Sequence, residues 1–313
     1  MFIYLCKRLL ATIPVITVVA IFVFMMLRFG ATDPAAVIAG ENSNSAQIEQ
    51  IRSHLGLDQP IVKQFGIWAM RTLSGDLGES FFFKKPVAEL ILNRLEPTLS
   101  LALCTIVISV LIAVPIGVLA AFKSGGWVDR LVMGFSALGF SIPVFVIGYL
   151  LILVFAVHLN WLPVQGYQRI GNGVWGWLRH LMLPSVALSI VYCALIARIT
   201  RTSVQEVLDE DYIRTARAKG LSNRVVLMRH ALRTAAVPIV TVIGLGLALL
   251  IGGVVVTESV FSIPGLGRLT VDAVLARDFP TVQALVLLFS LVFVGVNLLV
   301  DLSYIVLDPR IRY

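Results

Sequence analysis

The sequence predicts an all-α, polytopic membrane protein of six transmembrane helices, with a helical insert between the first two. Three observations predict this class. The 313 residues are 58% hydrophobic and 14% charged, where a soluble domain carries about 25% charged residues. Six apolar runs come close to or exceed the ~20 residues that cross a bilayer as a helix: 9–29, 99–122, 131–157, 181–197, 235–256 and 282–307. Lys and Arg collect in alternate connecting segments. With the N-terminus inside, the inner segments hold Lys7, Arg8, Lys123, Arg130, the cluster from Arg198 to Arg233, Arg310 and Arg312. Their density is more than twice that of the outer segments, which by the positive-inside rule puts both termini in the cytoplasm. Barrel strands do not fit, because they are about 10 residues long and alternate in polarity.

The first run follows Lys7-Arg8 as a signal peptide would, yet residues 9–27 carry no charge. A signal core is about 7–15 residues long and ends in a small-residue cleavage site. Here Arg28-Phe29-Gly30 follows, so residues 1–29 read as an uncleaved anchor helix. Residues 30–96 form an outer region too long for a bare loop. Ile48, Ile51, His54 and Leu55 recur at helical spacing, and Asp58-Gln59-Pro60 marks a turn. A small helical insert is expected there. Residues 97–313 form the core; 198–234 are its only long cytoplasmic segment, and the stretch 206–238 overlaps it. Pro14, Pro115, Pro143 and Pro184 fall inside the runs and predict kinks, whose freed carbonyls neighbouring helices can satisfy. Gly244, Gly246, Gly252 and Gly253 permit close helix contact. Such features suit a moving pathway and a static bundle alike.

Several chemistries are excluded or disfavoured. No G-x-x-x-x-G-K-[ST] phosphate loop is present, so any ATP hydrolysis takes place on another chain. The net charge of +7 is dispersed between apolar runs, which does not make a nucleic-acid face. Cys6, Cys104 and Cys193 have neither metal-ligand spacing nor a disulfide framework; they read as small hydrophobes. Gly134-Phe135-Ser136-Ala137 raises an intramembrane serine protease, which needs a histidine within hydrogen-bond reach of Ser136. Of His54, His158, His180 and His230, His158 lies ~33 Å from Ser136 along a straight helix. A secondary transporter would show ionisable groups near the midplane. Asp301 sits close to the charged tail, and Arg28 and Arg198 sit near run ends, where they can snorkel. No catalytic, cofactor or metal residue is expected in this chain.

The cytoplasmic stretch 209–238 carries the most information. Gly220 interrupts a helical pattern, and Ser222 is placed to cap a second short helix. On that helix Leu221, Val225, Met228 and Leu232 make an apolar stripe, with Arg224, Arg229 and Arg233 off it. An amphipathic helix of this kind lodges in a partner's groove or lies on anionic lipid. Periodicity does not separate the two.

At these residues the chain resembles the inner-membrane permeases of binding-protein-dependent ATP-binding-cassette importers, in particular the first permease of dipeptide and oligopeptide systems. Nickel and glutathione importers belong to the same family. Arg214-Thr215-Ala216 stands where such permeases carry Glu-Ala-Ala, followed by Gly220 and later Pro238. The Glu is absent, so its salt bridge does not carry over. Gly75-Asp76-Leu77-Gly78, Leu162-Pro163 with Gly166-Tyr167, and Glu258-Ser259-Val260-Phe261-Ser262-Ile263-Pro264-Gly265-Leu266-Gly267 are similar too. So are 55–60 and 307–312. A departure follows the first run, where Ala31-Thr32-Asp33-Pro34 replaces Pro-Gly-Asp-Pro. The resemblance implies a type I importer permease fold in the bacterial inner membrane, with the insert periplasmic. It implies a second homologous permease, two ATPase subunits holding ATP and Mg, and a periplasmic substrate-binding protein. Cargo would be di- or oligopeptides, with nickel, glutathione or another small solute as the alternative. Arg214, Thr215, Ala216, Gly220, Leu221, Val225, Met228 and Leu232 would couple the chain to an ATPase.

Overall fold

The computed structural model describes residues 2–29, 44–54 and 58–307. The motifs at 31–34, 55–57 and 308–312, and the side chains of Ile48, Ile51 and His54, lie outside the described residues. Among the described residues the structure is helical, with one antiparallel bridge between Glu79 and Pro86. Two compact units are present. The first combines Met1–Leu95 with Arg268–Val292, the second Glu96–Gly267 with Phe293–Tyr313.

In the first unit, α1 (Phe2–Phe29) runs through Pro14 and holds the apolar stretch Leu10–Met26. The insert is helical where it is described. α2 (Ser45–His54) opens with a reciprocal capping box: the Gln47 N–H donates to Asn44 Oδ1 at 2.8 Å, and the Asn44 N–H donates to Gln47 Oε1 at 3.1 Å. α3 (Ile61–Leu73) starts after Pro60. Its Phe65 and Trp68 rings pack on Phe24 of α1, with centroids 5.3 and 5.6 Å away. The turn at 80–83 is tied down by Asp278, whose carboxylate accepts from Ser80 Oγ, the Phe81 N–H and Thr281 Oγ1.

α4 (Val87–Phe122) begins in the first unit and continues into the second. Its 36 residues make a rod ~54 Å long against a hydrocarbon core of ~30 Å. The polar stretch 87–98 therefore extends past the apolar run. α5 (Trp127–Ser141) and α6 (Val144–His158, ending as a π-helix over Ile152–His158) meet at 99°. The expected continuous span 131–157 is thus broken. Pro143 drives its predecessor out of the helical region, and Ile142 sits at φ −94, ψ 122. The other three prolines expected to kink are absorbed: α1, α4 and α7 (Val174–Leu208) continue through Pro14, Pro115 and Pro184, and α4 through Pro97 as well.

After α7 come α8 (Asp211–Ala218), α9 (Asn223–Thr234) and α10 (Ala236–Gly253), with a 59° bend between the last two. α11 (Val255–Val260), α12 (Leu266–Leu275) and α13 (Phe279–Leu307) complete the chain. α4, α7 and α13 are each long and apolar enough to cross a membrane; the two bent pairs qualify jointly. Small residues bring the second unit's helices together. A Cβ on Gly117 of α4 would stand 2.7 Å from the Ala197 carbonyl oxygen of α7, and one on Gly139 of α5 would stand 2.9 Å from Ala194 Cβ. Gly244 and Gly246 likewise face Val300 and Tyr192, whereas Gly252 faces open space.

Candidate functional site

The segment after α7 is built on a helix stop that only glycine fits without strain. α8 ends in a Schellman motif: the Leu221 N–H donates to the Ala216 carbonyl at 3.3 Å and the Gly220 N–H to the Arg217 carbonyl at 2.9 Å. This geometry holds Gly220 at φ +78. Ser222 has the extended backbone of an N-cap, and its carbonyl accepts from the Val226 N–H at 3.0 Å. Its hydroxyl makes no capping bond, so the expected side-chain cap is absent.

α9 is not a regular α-helix. Val226–Ala231 form a π-turn, whose wider i→i+5 bonding shifts every later side chain in phase. The stripe expected at α spacing is therefore divided. Leu221, Val225 and Met228 are exposed, Met228 by 57%. Leu232 instead turns inward and packs on a core of Val118, Val204, Ala231 and Ile239. The Arg214-Thr215-Ala216 stretch also has mixed exposure. Ala216 is buried with Ile213 and Val226. Thr215 Oγ1 donates back to the Asp211 carbonyl at 3.1 Å, and Arg214 pairs with Asp211 at 3.1 Å on the surface. Tyr212 donates to Thr234 Oγ1 at 3.0 Å, tying α8 to the end of α9.

A part-buried ion pair, which the sequence reading missed, anchors this region. Arg201 of α7 donates from Nε and Nη2 to the two oxygens of Asp129 at 2.9 and 2.8 Å, and the Gly125 N–H donates to the same carboxylate at 2.9 Å. Bidentate geometry fixes orientation as well as distance, so the turn before α5 is clamped to the helix that leads into α8. The partners are 72 residues apart, a separation with no local signature.

At the opposite end of α4, Glu96 Oε1 accepts from Tyr167 OH at 3.1 Å and from the Ile170 N–H at 2.9 Å. Burial pushes the Tyr167 phenol above its ordinary range, with the nearby Glu96 adding to the rise, so it remains a donor. Thr98 Oγ1 donates to Glu258 Oε1 at 2.7 Å and accepts from the Leu266 N–H at 2.8 Å. Gly166, at φ +100, donates to the Phe261 carbonyl at 2.8 Å. The segments holding Leu162-Pro163, Gly166-Tyr167 and 258–267 thus interlock.

None of this is catalytic geometry. Ser136 is buried and its hydroxyl has no hydrogen-bond partner. The straight-helix separation from His158 does not apply, because the bend lies between them. His158 Nδ1 donates to the Leu153 carbonyl at 2.8 Å, and His180 Nδ1 to the Gly176 carbonyl at 2.7 Å. Among the described residues no group of His, Cys, Asp and Glu could hold a metal.

Residues 113–313 match the family described as binding-protein-dependent transport system inner membrane component, and residues 1–102 match its N-terminal companion. A probable peptide ABC transporter permease protein of Sinorhizobium fredii is 53% identical over 311 residues, 99% of each chain. A putative peptide transport system permease protein of Brucella abortus is 45% identical, over 98% of each. The glutathione transport system permease protein GsiC of Pectobacterium atrosepticum is 44% identical, over 99% of each. Among solved structures, the inward-facing MetNI methionine ABC transporter matches 70% of this chain and 96% of its own, with TM-score 0.58 and 18% identity. That likeness bears on the fold alone.

Proposed function

The chain belongs to the family of binding-protein-dependent transport system inner membrane components, and from that membership we propose that it forms half of a pathway importing di- or oligopeptides. It is a non-catalytic permease subunit of an ATP-binding-cassette importer, a class that works with ATPase and binding-protein partners. The observation that carries the cargo is full-length identity of 53% to a relative named for peptides. A second, related permease completes the pathway. Two ATPase subunits bind ATP and Mg beneath the pair, and a periplasmic protein delivers cargo beside the insert at 30–96. Gly220, Leu221, Val225 and Met228 meet an ATPase, while Arg214, Thr215, Ala216 and Leu232 hold that surface in shape. Glutathione is the second reading for cargo, favoured by the relative GsiC at 44%.

The cargo is tested on the cognate binding protein, titrated with dipeptides, longer peptides, glutathione and nickel. Peptides are expected to bind at least tenfold more tightly than the others. Tightest binding of glutathione or nickel would replace the peptide reading.

The proposed orientation places both termini in the cytoplasm, with Ser45 in the periplasm and Ser222 inside. In a chain with Cys6, Cys104 and Cys193 replaced, Ser45→Cys should react with an impermeant maleimide on spheroplasts. Ser222→Cys should react only after permeabilisation. Labelling of both from the same side would refute the topology.

A further inference from the structure

A cleft of about 510 Å³ opens between the inner end of α4 and α9, lined mainly by Val118, Leu119, Phe122, Arg224, Leu227 and Met228. We propose that this cleft binds an anionic phospholipid of the inner leaflet, its acyl chain between the helices and its headgroup phosphate at Arg224. The proposal rests on the reading of α9 as cytoplasmic and goes beyond the coupling role assigned to it.

Three features select this occupant. One wall is the last turn and a half of an apolar run that ends at the exposed Lys123, so the cleft lies where hydrocarbon gives way to headgroups. Leu119 and Phe122 on that wall are 51% and 40% exposed, as an acyl chain lying against them requires. The other wall ends in Arg224, which is exposed and makes no ion pair among the described residues. Charge then sets the class of headgroup. Arg224 is the basic residue that lines the cleft; the rest of 206–233 is nearly balanced, with Arg214, Arg217, Lys219, Arg229 and Arg233 against Glu206, Asp209, Glu210 and Asp211. Each basic residue near an anionic leaflet attracts it enough for about fivefold enrichment. A zwitterionic lipid fills the apolar slot equally well but gains nothing from this field.

The test uses the complete complex of both permeases and the ATPases in proteoliposomes. Phosphatidylglycerol or phosphatidylcholine, each with the same photoreactive acyl chain, is crosslinked and the labelled peptides are mapped. Phosphatidylglycerol should label 114–122 and 223–232 about fivefold more than phosphatidylcholine. Arg224→Gln should bring the two lipids level with ATPase co-purification unchanged, and Leu119→Trp, which fills the slot from an exposed position, should lower labelling by both. Equal labelling of the wild-type complex would mean ordinary bilayer contact and would overturn the proposal. Labelling of the isolated chain but not of the complex would overturn it too, because a protein subunit then covers the cleft. ATPase co-purification reports on the coupling reading and lipid labelling on this one, so either can fail while the other stands.

Discussion

Met228→Asp is expected to lower transport by the assembled complex at least tenfold, with cargo binding to the periplasmic protein unchanged. Met228 is more than half exposed in the isolated chain, so the carboxylate meets water there and the fold is spared. If Met228 meets an ATPase as proposed, the penalty arises on docking, when a charge enters an apolar groove without a partner; it amounts to several kcal/mol, and 1.4 kcal/mol is already tenfold. ATPase co-purification should fall in parallel, or hydrolysis should continue uncoupled from transport. Arg224→Ala should leave docking nearly intact. Gly220→Ala adds a separate check. Nothing lies within 4 Å of a Cβ placed there, so its cost is the left-handed backbone alone, roughly 1–2 kcal/mol. Its effect should therefore be smaller than that of Met228→Asp. Full transport by Met228→Asp, or a worse defect in Arg224→Ala, would return α9 to the role of a lipid-surface helix.

The apolar runs were legible because a bilayer imposes length and hydrophobicity on any helix that crosses it. The break at Gly220 was legible because its cause is local: a positive φ selects glycine. What escaped was whatever depended on tertiary context. Of Pro14, Pro115, Pro143 and Pro184, only Pro143 breaks a helix; nothing around the other three in the sequence tells absorption from rupture. The stripe on α9 was drawn with a period of 3.6, and the π-turn that turns Leu232 inward leaves no mark in composition. The Asp129–Arg201 clamp joins segments whose proximity only the fold establishes. Glu258, by contrast, was visible as part of a motif while its chemistry was not.

That chemistry underlies the second large effect, centred on a carboxylate completely buried between α4 and the start of α12. Thr98 is the relay, donating to Glu258 and accepting from the Leu266 N–H. Thr98→Val keeps the shape and deletes both bonds, one to the buried Glu258 carboxylate and one from the Leu266 N–H. At about 0.5–3 kcal/mol for each lost bond, the purified complex should melt several degrees lower. Thr98→Ser restores the hydroxyl and should recover most of the loss. Gly265 explains the spacing of the motif. A Cβ there would collide with the Glu258 carboxylate, which is fully buried and held by the Thr98 hydroxyl. Gly265→Ala must therefore push the 261–267 turn off α4, and little folded complex should be recovered. Gly252→Ala supplies the control: it faces open space within a helix, where alanine is favoured over glycine by up to ~1 kcal/mol. Thermal unfolding of the four variants ranks them directly. A Thr98→Val complex as stable as wild type, or a Gly265→Ala complex no worse than Gly252→Ala, would show that Glu258 does not hold this turn in place.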